Sequence, residues 1–293
     1  PTWNVWEYTL ATDELRRIIP SDLNAEAGHD VAPHYLPDGR IVFSSTRQRQ
    51  SKAVLLDEGK PQFDAQDEDR NEPAFVLHVM NDDGSDVHQV SFNQSHDLDP
   101  TVLTNGQVVF TRWDNAAGNN EMNLYRMNPD GSGLELYYGA QSHATGTDGA
   151  TVQFIQPREM PDGRILTIVR PFRTDDSGGD LVAIEAANYV ENLQPTAPNA
   201  GLLAGPAQSR LVVNDVRTDD TISPGGEFSS AYPLFDGTER MFVSWSPCRL
   251  LSATLQIIPC TAAALADPNV VAAPPLYGVW IYDRVANTQQ PIF

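Results

Sequence analysis

Apolar and polar positions alternate along this chain in short runs, and the runs are divided by Asp-Gly or Asn-Gly pairs. Ile41-Val42-Phe43 follows Asp38-Gly39, Val108-Val109-Phe110 follows Asn105-Gly106, Ile165-Leu166 follows Asp162-Gly163, and Met241-Phe242-Val243 follows Asp236-Gly237. Such pairs supply the positive φ angles of a tight turn, so each phrase predicts two strands joined as a hairpin. A second phrase interleaves with the first. Leu77-His78-Val79-Met80 precedes Asp83-Gly84, and Leu124-Tyr125-Arg126-Met127 precedes Asp130-Gly131, with the two glycines 47 positions apart. That spacing is one propeller blade. The pattern predicts an all-β chain, a β-propeller of four-stranded antiparallel blades in which each sheet hides a face against its neighbour.

Counting strands gives an outer hairpin at about 3–20 and blades at about 30–92, 97–140, 150–216 and 230–293, about four and a half blades in one domain over 1–293. Val5-Trp6-Glu7-Tyr8 and Val279-Trp280-Ile281-Tyr282 share a Val-Trp-x-Tyr pattern, and both read as outer strands. A ring begun in mid-blade leaves edge strands and an apolar flank exposed, so closure by missing chain or by a partner is expected. Two stretches break the rhythm. Residues 48–73, with Asp64, Asp67, Glu68, Asp69 and Glu72, are acidic and Gln-rich, and residues 188–210 are rich in Ala, Pro, Asn and Gly. Both read as surface loops, either binding elements or insertions without a role.

Composition narrows the function classes. With 293 residues, 41% of them hydrophobic, the chain can bury one multi-blade core. The net charge of −20 excludes nucleic acid, whose phosphates such a surface repels. It leaves cations, basic proteins, or solubility alone. No apolar run reaches the roughly 18 residues of a membrane-spanning helix, and residues 1–20 lack the basic start and apolar core of a signal peptide. The first residue is Pro1, not an initiator Met, so removal of a leader or of an upstream domain is an expectation here. Cys248 and Cys260 lie twelve positions apart. They close a local disulfide across a loop or hairpin, which implies an oxidising compartment, or they are two buried free thiols of a cytosolic protein.

Candidate chemistry gathers just before the inner strands. His29-Asp30, His96-Asp97-Leu98-Asp99 and His143 occupy comparable places in three successive blades, where loops entering the innermost strands face a central funnel. Imidazole with carboxylate suits Zn²⁺ or another divalent transition metal, with His29, His96 and His143 as the ligands. In the competing reading each residue caps its own turn. Arg47, Arg112 and Arg170 follow inner hairpins, where they grip a ligand carboxylate or pair with neighbouring aspartates. Asn81-Asp82-Asp83-Gly84-Ser85-Asp86 lacks calcium-loop spacing and reads as a hairpin turn. No Gly-x-Ser-x-Gly elbow, Walker loop or Cys-x-x-Cys-His occurs.

Tyr35-Leu36-Pro37-Asp38-Gly39-Arg40-Ile41-Val42-Phe43-Ser44-Ser45 and Leu124-Tyr125-Arg126-Met127-Asn128-Pro129-Asp130-Gly131-Ser132-Gly133 resemble the PD40-type repeats of TolB-like propellers. The likeness covers residues 30–140 well and 150–170 and 230–245 in part. Trp245-Ser246-Pro247-Cys248 and Tyr277-Gly278-Val279-Trp280-Ile281-Tyr282-Asp283 are similar to propeller regions of bacterial proteins related to the hydrazine synthase alpha subunit. Together these features are read as a non-catalytic module, periplasmic or secreted, that needs no cofactor and binds a protein partner or further domains of the same polypeptide. The alternative is the propeller part of a periplasmic metal- or haem-dependent oxidoreductase, with the three histidines near a divalent metal.

Overall fold

The computed structural model describes residues 2–61, 64–66, 70–116, 118–172 and 178–292. It opens with a hairpin, β1 (Trp6–Thr9) and β2 (Glu14–Arg17), followed by a single helical turn, α1 (Asp22–Ala25). The first complete sheet holds β3 (Asp30–Tyr35), β4 (Ile41–Ser45), β5 (Val76–Met80) and β6 (His88–Gln89) in chain order, with helix α2 (Arg49–Asp57) between β4 and β5. The second holds β7 (Asp97–Val102), β8 (Val108–Asp114), β9 (Glu121–Met127) and β10 (Glu135–Tyr138).

In the third sheet β11 (Gln153–Glu159), β12 (Ile165–Arg170) and β13 (Asp180–Ile184) precede a small hairpin, β14 (Tyr189–Glu191) and β15 (Gln194–Pro195), and β16 (Gln208–Arg210) completes it in the order β11-β12-β13-β16. The fourth begins with β17 (Glu227–Pro233) and β18 (Arg240–Ser246). A side sheet of β19 (Arg249–Leu251), β20 (Ile257–Pro259) and β21 (Val271–Ala272), in the order β20-β19-β21, comes next with the short α3 (Ala262–Leu265). Then β22 (Gly278–Asp283) and β23 (Thr288–Pro291) finish the order β17-β18-β22-β23. Four four-stranded sheets and a half sheet are thus the four and a half blades of the repeat.

The turn chemistry makes the strands. At the β3–β4 turn Gly39 takes φ +89, the Leu36 N–H donates to the Arg40 carbonyl at 2.7 Å, and the Asp38 carboxylate accepts the Arg40 N–H. All five residues of β4 and of β5 are buried, because central strands are covered on both faces. Inner strands bulge two residues after they begin: Ala32 and Asp99 each take φ near +50, and the register slips between Val31 and His34 and between Leu98 and Thr101.

Two compact units divide the chain, one of residues 1–137 with 155–157, the other of 138–154 with 158–293. In the first unit Leu36, Val42, Leu77, Val79, Phe110 and Met127 form one cluster, and Val5, Ile18, Ile41, Phe43 and Met80 another. β7 packs against β3, β4 and β5, so successive sheets share these clusters. The second unit has its own core, in which Leu181, Phe228 and Tyr282 are buried and Tyr138 meets Phe154 edge to face at 5.6 Å.

Neither long stretch is a simple loop. Residues 48–73 contain α2, and the buried Gln48 side chain ties the neck of the excursion together. It donates to the carbonyls of Ala65 and Ala74 and accepts the Ala65 N–H, at 3.0, 2.7 and 2.8 Å. Asp64 pairs with Lys52 at 2.9 Å, whereas Asp67, Glu68 and Asp69 lie outside the described residues. Residues 188–210 bury Tyr189, Glu191 and Ala207 and supply the last strand of their sheet, because a blade hydrogen bond and a buried carboxylate need partners that a free loop lacks. A third excursion, between β18 and β22, carries the side sheet, tied by the Cys248–Cys260 disulfide with its Cα atoms 5.7 Å apart.

Candidate functional site

The entry to each inner strand in the first unit is one motif built twice. Before β3, the Trp3 N–H donates to His29 Nδ1 at 3.1 Å, and the Trp3 carbonyl accepts the Asp30 N–H at 3.0 Å. Before β7, Phe75 makes the same pair of contacts with His96 Nδ1 and the Asp97 N–H, at 3.1 and 2.7 Å. His96 also stacks on Trp113 with ring centroids 5.7 Å apart. Each imidazole thus stitches a strand entry to a neighbouring segment.

The aspartates that follow are buried and engaged. Asp97 accepts Arg112 Nε and Nη2 at 2.7 and 2.9 Å and the Ser91 hydroxyl at 2.6 Å. Asp30 accepts the Ser45 hydroxyl at 2.7 Å, Arg47 Nε at 3.0 Å and Arg47 Nη2. Arg47 reaches the Asn24 carbonyl in α1 as well, at 2.9 Å. Burial pushes the Asp30 carboxyl up, against the hydrogen bonds and charge of Arg47, which draw it down. Burial works to lower the Arg112 pKa, but the charge and hydrogen bonds of Asp97, with the Tyr125 and Asp114 groups, together raise it. Forked, charge-assisted pairs of this kind are strong and directional.

Asp99 and the other two candidates differ. Asp99 occupies the positive-φ position of the β7 bulge, a conformation that Asp tolerates better than most residues. Arg170 ends β12. His143 does not immediately precede a strand: nine residues separate it from β11, its Nδ1 lies 2.5 Å from the Val152 carbonyl, and its ring packs on Phe154. Val152 holds the place that His29 and His96 hold elsewhere.

These contacts bear on metal binding. An imidazole that ligates through one nitrogen normally donates a hydrogen bond from the other. His29 and His96 use Nδ1 as an acceptor, so Nε2 carries the ring proton and offers no lone pair. Among the described residues no group of three or more His, Cys, Asp or Glu side chains is placed to share an ion. As hydrogen-bonded here, the His29 and His96 rings serve the strand entries, whereas His143 Nδ1 meets the Val152 carbonyl.

A concave surface of about 230 Å³ lies against β1 and β3 in the first unit, and one of about 750 Å³ lies in the second unit beside the disulfide. The second was not foreseen from sequence, although the paired cysteines marked its neighbourhood.

No protein-family model matches the chain, and no curated protein matches it in sequence. Solved structures do. The chain is similar to hydrazine synthase of Kuenenia stuttgartiensis, with TM-score 0.61, 16% identity, and coverage of 99% of this chain and 35% of that one. It is similar to TolB from Acinetobacter baumannii, with TM-score 0.52, 10% identity, and coverage of 99% of this chain and 48% of that one. These likenesses show the fold expected from the repeats, a TolB-like propeller related in architecture to that of hydrazine synthase. The chain spans less than half the length of either structure.

Proposed function

We propose that this chain is a non-catalytic propeller module, working outside the cytoplasm, that engages a protein partner or further polypeptide along the open flank of its first unit. The observation that carries the proposal is the half-built sheet β1–β2. In the fourth sheet β22 lies between β18 and β23, and its Trp280 and Tyr282 stand opposite Val243 and Met241 of β18. β1 repeats the Val-Trp-x-Tyr pattern and pairs with β2 as β22 pairs with β23. Among the described residues it has no counterpart of β18.

Main-chain geometry then says which groups wait. The Val5 carbonyl accepts the Ile18 N–H at 3.0 Å. By antiparallel alternation Glu7 and Thr9 turn their groups to β2, and Trp6 and Tyr8 turn theirs to the open edge. Tyr282 is 1% exposed, whereas Tyr8 is 51% and Trp6 54% exposed. Pro33, His34 and Tyr35 of β3 form the other wall of the 230 Å³ groove, on the strand whose equivalent, β7, packs on the preceding sheet. An added strand satisfies the edge by main-chain hydrogen bonds and covers the aromatics. The disulfide supports a location in an oxidising compartment. A metal or haem oxidoreductase has less support, since His29, His96, Asp30 and Asp97, which it would use, are engaged at the blade entries.

The test is Tyr8→Pro, which removes an outward N–H and leaves the β1–β2 ladder intact. Pull-down from native extract is expected to retain a protein on the wild-type chain and lose it on the variant, with thermal unfolding unchanged. Equal retention by both overturns the reading. So does a stoichiometric transition metal, in protein purified without chelator, that disappears in His96→Ala.

A further inference from the structure

The 750 Å³ cleft of the second unit has a charge that the rest of the molecule does not explain. Arginines in this chain meet carboxylates as a rule: Arg47 with Asp30, Arg112 with Asp97, Arg126 with Glu135, Arg210 with Asp180, Arg217 with Asp148 and Asp219. With 39 acidic residues against 19 basic ones, a guanidinium without a carboxylate is the exception. Among the described residues Arg49 and Arg70 have no carboxylate partner either, but they stand exposed in the first insertion. Arg249 is half-buried and lines the cleft. Its side chain donates from Nη1 to the Pro274 carbonyl at 3.2 Å, and no carboxylate among the described residues lies within ion-pair distance.

The setting holds that guanidinium in place. Arg249 opens β19, directly after Cys248, and stands opposite Pro259, the neighbour of Cys260, so the disulfide braces the hairpin that carries it. The Arg249 carbonyl accepts the Ala273 N–H at 2.9 Å, which fixes the far wall. Around it about half of the lining is apolar, Ile222, Pro247, Val270, Val271, Ala273 and Pro275 among it, and Thr221, Ser223 and Ser246 add hydroxyls. Pockets of several hundred Å³, apolar with a few placed polar groups, are those that take small organic ligands. A guanidinium with donors to spare matches a carboxylate in forked geometry. Asp220 and Glu227 line the same cleft, and Glu227 accepts the Gly178 N–H at 2.8 Å. Their charges work against any anion in the cleft, so a single carboxylate, seated at the Arg249 guanidinium, is the most the site holds.

We infer that this cleft is a binding site for a small monocarboxylate with an apolar body, held by Arg249. The site is independent of the strand-addition edge, and neither proposal needs the other.

Octanoate and the uncharged octanamide are the probes, titrated by calorimetry into the whole chain with its disulfide intact. Octanoate is expected to bind at least about tenfold more tightly than octanamide, the margin of a charge-assisted pair. Arg249→Met is expected to abolish that preference, and Arg249→Lys to keep part of it. Equal binding of the two probes by the wild type, no binding of octanoate, or an undiminished preference in Arg249→Met overturns the inference. The comparison of probes on the wild type needs no variant to fold.

Discussion

Asp97 has no exposed side-chain surface, and its two oxygens face Arg112, Ser91 and Asn93. Removing one member of a buried ion pair strands the other charge, whereas replacing both members by apolar groups of similar size leaves little uncompensated. Asp97→Ala is therefore expected to lower the unfolding free energy by about 3–5 kcal/mol. Asp97→Leu with Arg112→Met is expected to recover most of that loss in urea titration. A loss below about 1 kcal/mol in the single variant would mean that the pair is not the clamp described here. At this scale the sequence told which residue types stood at the strand entries, but their use depended on partners it does not name. The Nδ1 contacts of His29 and His96 run to the N–H groups of Trp3 and Phe75, more than twenty positions away. His143 looked equivalent only because its distance from the next strand was invisible. Gln48 and Arg249 carried no signal as single letters, one being a buried staple and the other a guanidinium left without a carboxylate.

At the scale of elements, the Asp-Gly turns were legible because they follow from φ alone, and they fixed every complete sheet. They also hide a difference. Gly39 takes φ +89 and an added Cβ would meet nothing within 4 Å, whereas at Gly131, φ +84, it would lie 2.3 Å from the Val90 carbonyl oxygen. Both turns require a left-handed residue, but only the second requires the absence of a side chain. Gly39→Ala is expected to cost about 1–2 kcal/mol, the strain of a left-handed residue. Gly131→Ala is expected to cost at least twice as much, since the β9–β10 turn must also back away from the preceding sheet. Equal midpoints in urea for the two variants would remove the close approach as a cause. The inserted elements were harder to read. Helix α2 ends in a left-handed cap, with Lys60 N–H on the Leu55 carbonyl and Gly59 N–H on that of Leu56, so Gly59 after Ala53-Val54-Leu55-Leu56 was its signal. One cap in an acidic, Gln-rich stretch was outweighed by its polar surroundings. The side sheet of β19, β20 and β21 gave shorter runs still, and only its cysteines were visible.

For the whole molecule, charge and burial pull in opposite directions as pH falls. The net charge of −20 repels itself, and protonating surface carboxylates relieves that repulsion. Against this stands His78, 2% exposed in the middle of β5, with Nδ1 3.0 Å from the Val76 carbonyl and its ring against Phe43. Burial lowers its pKa to about 4, from an ordinary value near 6.5. The folded-state value is the lower one, so on acidification the unfolded chain takes up this proton first. The stability contributed by a neutral His78 is therefore fully present above about pH 6.5 and is lost between there and about pH 4, by up to about 3 kcal/mol. His78→Phe keeps an aromatic ring beside Phe43 and removes the titration. Urea unfolding of both proteins at about pH 7, 5.5 and 4 separates the two forces, because the surface carboxylates are common to both. The wild type is expected to fall relative to the variant across that window, with the gap widening toward the lower pH. Parallel curves would mean that the imidazole is protonated or solvated in the folded sheet, and the acid response would then belong to the carboxylates alone.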